Sequence, residues 1–120
     1  MPEYHAQENI NLNAKLFVRQ RDILGAAAAS VVQASDSAGI VTVDTTVVHT
    51  VTLPPASLFP RGFFVWYLCP NAGAVANVLF NRTPPDTINR KASNIVLATD
   101  DDWILLVSNG QSNWNAFIGA

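Results

Sequence analysis

The sequence predicts an all-β protein: a small antiparallel β-sandwich or jelly-roll-like barrel of about seven strands, led by an extended N-terminal arm. Three observations predict it. From Gly39 onward, short runs of β-branched and aromatic residues alternate with clusters of Gly, Pro, Asn and Asp at intervals of about ten residues. Several of these runs alternate apolar and polar residues with the period of two that belongs to a strand. The one alanine-rich stretch, "GAAAAS", is interrupted by Gly25 and followed by Ser30, Val31 and Val32, which weaken a helix.

Residues 1–38 read as an N-terminal arm with an Ala-rich linker, and residues 39–120 as the β-sandwich domain. In "INLNAKLFVRQ", Ile10, Leu12, Ala14, Leu16 and Val18 alternate with Asn11, Asn13, Lys15 and Arg19, and Phe17 is the one violation. That pattern supports an extended arm. For "RDILGAAAASVVQASDSAG" helix and coil both stay open. The strands that follow are "GIVTV" (39–43), "TVVHTVTL" (46–53), "GFFVWYLC" (62–69), "AVANVLF" (74–80), "NIVLA" (94–98), "DWILLVS" (102–108) and "NWNAFIG" (113–119). "PNAG" (70–73) and "SNGQSN" (108–113) supply Asn and Gly, which tolerate positive φ at hairpin ends. "LPPASLFPRG" (53–62) carries three prolines that cannot donate to a central ladder, so it is a connection. "RTPPDTINRKASN" (82–94) is a second connection, with Ile88 as its apolar anchor.

"FFVWYL" and "WILLV" are apolar at every position. A strand of that kind is buried on both faces, by a second sheet on one side and by something else on the other. Composition agrees. Apolar residues make up 49% of the 120 residues and charged residues only 13%, about half of the roughly 25% usual in soluble domains. A surface so poor in charge, at formal net charge -2, is weakly protected against association. The chain therefore reads as a subunit covered by other protein, and a homo-oligomer, dimer or trimer, fits that expectation. The 7 basic residues are dispersed rather than striped, which argues against nucleic acid as a partner. No apolar run approaches the roughly 20 residues that cross a bilayer, and the N-terminus has no secretory pattern, so no membrane role is expected.

The chemistry-bearing residues are few. Asp100, Asp101 and Asp102 are contiguous, so in an extended chain at most two share a face, and they read as the polar lip of a turn rather than a calcium loop. His5 and His49 are the only histidines and Cys69 the only cysteine, so neither a zinc site nor a nucleophilic triad assembles from the sequence. His49 reads as a strand residue bonded to a neighbour, and Cys69 as a buried packing thiol. No catalytic residue, metal ligand or cofactor is expected. Trp66, Tyr67 and Trp103 lie in apolar strands and read as core. Trp114 lies between Asn113 and Asn115, which suggests a rim position, and with Asn115 and Asp101 it makes a candidate ligand rim for a sugar.

The run from "HTVTLPPASLF" to "NWNAFI", about 70 residues, resembles the small β-domains of tailed-bacteriophage virion proteins, those of tail fibres and of capsid decoration or cement proteins. The similar features are the "VTLPPA" strand end, the "GFFVWY" strand, the "DTIN" connection and the "WILLVSNGQSNW" hairpin. Where many such domains have Gly after "DTIN", this chain has Arg90. The resemblance implies a virion component, made in the host bacterial cytoplasm, that works by assembling. With about 38 residues ahead of the domain, a capsid cement protein is expected, its partner the major capsid protein or another virion protein. The alternative is a receptor- or glycan-binding module of a tail fibre or tail tip. The arm then provides the partner-binding residues, Ile10, Leu12, Leu16, Phe17 and Ile23.

Overall fold

The computed structural model describes residues 19–98 and 103–119. The described residues form ten strands in two mixed sheets: β1 (Gln20–Gly25), β2 (Ala29–Val31), β3 (Gly39–Thr45), β4 (His49–Leu53), β5 (Phe64–Leu68), β6 (Val78–Arg82), β7 (Thr87–Ile88), β8 (Ile95–Leu97), β9 (Trp103–Ser108) and β10 (Asn113–Gly119). Strand order is β1-β3-β5-β9-β10-β7 in the larger sheet and β2-β4-β6-β8 in the smaller.

The first six strands wind as a coil. Each circuit lays one strand into the larger sheet and the next into the smaller, so β1, β3 and β5 run parallel to one another, as do β2, β4 and β6. Gln20 lies opposite Ile40, a repeat of 20 residues, and His49 opposite Val78, a repeat of 29. The later strands close the coil in antiparallel fashion: β9 pairs with β5, β10 with β9, and β8 with β6.

Two expectations are corrected here. The sheets are mixed rather than antiparallel, and the strands described number ten rather than seven. β1 and β2, which precede residue 39, are built into the two sheets, and Ile23 and Val32 belong to the core. The reason is geometric. Parallel partners are joined by a whole circuit of chain and leave no hairpin signature in the local sequence. Residues Ile10, Leu12, Leu16 and Phe17 of the expected arm, and the aspartate cluster with Asp101, lie outside the described residues.

Local chemistry explains the corners. Gly25 has φ of +67°, the left-handed region that glycine occupies without a Cβ penalty, and it ends β1. Gly39 opens β3 where a side chain would come within 2.8 Å of the Arg19 carbonyl oxygen. After β4, Pro54 and Pro55 stop the ladder, and a 3-10 turn at Ala56–Leu58 follows, its first N–H held at 2.7 Å by the buried Asp86 carboxylate. β3 and β4 bury alternate residues, Val41, Val43, Val51 and Leu53 facing inward. These join Val65, Tyr67, Phe80, Leu97, Ile104, Leu106 and Trp114 in one core shared by both sheets. Tyr67 of the larger sheet meets Phe80 of the smaller edge to face, centroids 5.3 Å apart.

The first circuit is also held by charge. Arg21 grips Asp36 with two hydrogen bonds, Nε at 3.1 Å and Nη2 at 2.8 Å, and Asp36 accepts the Gln33 N–H as well. The carboxylate is nearly sealed while the guanidinium is 30% exposed.

Candidate interaction surface

The alternation that buries Val65, Tyr67, Ile104 and Leu106 turns their neighbours outward. Strand register stacks those neighbours in three rows across the larger sheet. One row runs Ile40, Trp66, Leu105, Phe117. The next runs Thr42, Leu68, Trp103, Gly119, and the third Phe64, Val107, Asn115. Phe64 is 39% exposed, Leu68 37% and Phe117 55%, so this outer face is apolar and open to solvent. Trp66 and Trp103 lean on each other with centroids 5.1 Å apart. The Trp103 indole lies over Gly119, where any side chain would collide with it. Thr42, Leu68, Pro70 and Trp103 line a shallow apolar hollow of about 350 Å³. In these rows charge begins only at the edge strand, with Asp22 beside Thr42. The outer face of the smaller sheet differs, carrying Thr50, Thr52 and Asn81 among its apolar residues.

Beyond the Asn115 row the face runs into a polar cleft of about 350 Å³ lined by Arg61, Arg90, Asn109, Gln111, Asn113 and Asn115, with Val107 in its wall. The turn at Asn109 builds one side. Its Oδ1 accepts the N–H groups of Gln111, Ser112 and Asn113 at 2.9, 2.9 and 3.0 Å. The other side is the turn after β7, where Asn89 and Arg90 both have positive φ, 52° and 63°. Asn89 secures that turn by pairing with the Ala116 backbone in both directions, and the buried Asn113 Oδ1 accepts the Arg90 N–H at 2.8 Å.

Trp114, expected at a rim, is fully buried. It packs against Phe59 and Phe63, and its indole N–H donates to the Pro54 carbonyl at 2.9 Å. Its flanking asparagines do not mark a rim, because Asn113 is itself buried as a hydrogen-bonding hub. Asn115 does reach a cleft, the polar one. Ile23, expected to grip a partner, points into the core. Sequence reasoning missed Arg61 as a lining residue and noted Arg90 only for its loop. Among the described residues no three metal-ligating side chains cluster.

His49 is bonded to neighbours, but more firmly than a strand position implies. Completely buried, it donates from Nδ1 to the Ala27 carbonyl at 2.8 Å, an acceptor that fixes the tautomer, so Nε2 accepts the Ser30 hydroxyl at 2.8 Å. The pair ties β2 to β4, and neither residue lines the polar cleft or the apolar hollow described above. Ser30→Ala strands the buried Nε2 and is expected to cost about 1–3 kcal/mol in chemical denaturation. A loss under about 0.5 kcal/mol would show that the bond contributes nothing to the fold.

Compared with protein-family models, with curated proteins and with solved structures, the chain matches none.

Proposed function

We propose that this chain is a structural subunit whose larger sheet is covered in its working assembly, in the first instance by the same face of a second copy. The observation that carries it is the apolar outer face formed by Ile40, Phe64, Trp66, Leu68, Leu105 and Phe117. With no charge in its middle, this face has nothing that would select a partner of different character, and an isologous contact is self-complementary by symmetry. The shared core also supports the layered form of the fold, a β-sandwich.

Magnitude sets the kind of assembly. Four strands about 4.8 Å apart and five residues long give a footprint of roughly 20 by 16 Å, or about 600 Å² over two copies. At about 25 cal/mol per Å² the gross gain is about 15 kcal/mol, and association costs of about 4–15 kcal/mol offset most of it. A single contact is therefore weak, and it becomes effective where copies are held close together on a larger assembly. That suits a capsid decoration or cement protein of a bacteriophage virion. The virion setting rests on the sequence resemblance alone.

Sedimentation from micromolar to millimolar protein tests the proposal. The expected result is concentration-dependent association that the Trp66→Lys/Phe117→Asp variant abolishes while its circular dichroism stays unchanged. A chain that remains monomeric throughout, or a variant that associates equally well, would refute the face-to-face contact.

A further inference from the structure

We propose that the polar cleft between the Arg61 turn, the Asn89–Arg90 turn and the 109–113 loop binds an acidic saccharide, a sugar bearing a carboxylate. The inference rests on observations other than those behind the assembly proposal, and its cleft shares Val107 and Asn115 with the edge of the apolar face.

It rests first on which hydrogen-bonding groups the cleft leaves free. Three backbone N–H groups point at the Asn109 side-chain oxygen, so its Nδ2 is left over as a donor. Asn113 receives the Arg90 N–H and the Thr87 hydroxyl on Oδ1, so its Nδ2 donates to Asn115 Oδ1 at 3.0 Å. That bond leaves Asn115 Nδ2 free to donate. The asparagine acceptors are thus spent within the loop, while Asn109 and Asn115, both lining the cleft, each keep a side-chain donor. Arg61 and Arg90 add two guanidiniums, and among the described residues neither has an acidic partner, the one ion pair being Arg21 with Asp36. A donor-rich concavity calls for an acceptor-rich ligand, and planar guanidiniums match a carboxylate. The sugar hydroxyls supply further acceptors for the amides, and Val107 offers a small apolar patch to a ring face. Two cations are far too few to hold a nucleic-acid backbone.

The backbone gives a second, independent indication. Two successive non-glycine residues in the left-handed region are unfavourable, and glycine at 90 would relieve the second of them. An arginine there places its side chain beside the cleft at the expense of local strain, a pattern associated with binding sites. The opposite wall is fitted closely too: a Cβ at Gly110 would lie 2.8 Å from the Arg61 nitrogen.

The full chain is titrated by calorimetry with digalacturonate and with sialyllactose, alongside galactobiose, lactose and inorganic sulfate. The expected result is binding of at least one acidic sugar, at least tenfold tighter than its neutral counterpart and than sulfate. Arg90→Gly is expected to weaken that binding at least tenfold while leaving the thermal midpoint unchanged or higher, and Arg61→Gln to weaken it similarly. No binding of either acidic sugar, equal binding of the neutral sugars or of sulfate, or full binding by the Arg90→Gly and Arg61→Gln variants would overturn the proposal.

Discussion

Replacing Trp114 by alanine will lower stability by about 4 kcal/mol, within the range for emptying a large aromatic site, and will drop the melting temperature by roughly 10–20 °C. The indole is wholly buried, with the Phe59 ring 5.2 Å and the Phe63 ring 6.1 Å from it, so its removal leaves a cavity bounded by two rings on the proline-rich connection. It also leaves the Pro54 carbonyl without its donor. Trp114→Phe separates the two contributions. Filling most of the space, it should lose mainly the hydrogen bond, about 1–3 kcal/mol. Urea denaturation of both variants measures the difference. A loss below about 1 kcal/mol for the alanine variant would mean that the 54–63 connection does not depend on this residue.

Stability will also fall steeply in alkali. Burial pushes the Cys69 thiol from its ordinary 9.0 up to about 12. Once unfolded, the thiol loses its proton near pH 9, whereas the folded form keeps it. The contribution to stability is therefore complete below pH 9 and disappears progressively as pH rises towards 12, at about 1.4 kcal/mol per pH unit. Tyr67 acts in the same sense above pH 10.0, its phenol raised first by burial and then by the nearby Asp36 carboxylate. Together the two groups remove about 4 kcal/mol between pH 8 and 11. Cys69→Ala will be less stable at neutral pH, but its stability will change little between pH 9 and 10, before Tyr67 begins to matter. If wild type and variant decline in parallel over that interval, the thiol is not the group responsible.

Six of the seven expected strands overlap β3, β4, β5, β8, β9 and β10, because runs of β-branched and aromatic residues between turn residues are a local signal, although β4 begins only at His49. The remaining one, 74–80, is matched by β6 only from Val78, since the apolar "AVA" before it is spent on a turn. What local pattern could not convey was which strands are partners. β1 follows no hairpin rule, its partner β3 lying 20 positions later, and β7, two residues long, carries no period at all. The open apolar face was legible in advance, because "FFVWYL" and "WILLV" have no polar position to give to water. The polar cleft was not. Arg61 and Arg90 come from two separate turns and Asn115 from β10, and only β10 lying between β7 and β9 brings them together.

The coiled path of the first six strands has a consequence for how such a protein changes over time. Each circuit meets only the circuits above and below it, through the same pair of ladders, so a duplicated circuit would find ready partners on both sides. Insertions within a strand would break register, whereas gain of a whole circuit, 20 to 29 residues by the spacings present, would lengthen the molecule and leave its closing hairpin untouched. Growth in this architecture is quantised, and the grain of that growth is one lap of the chain.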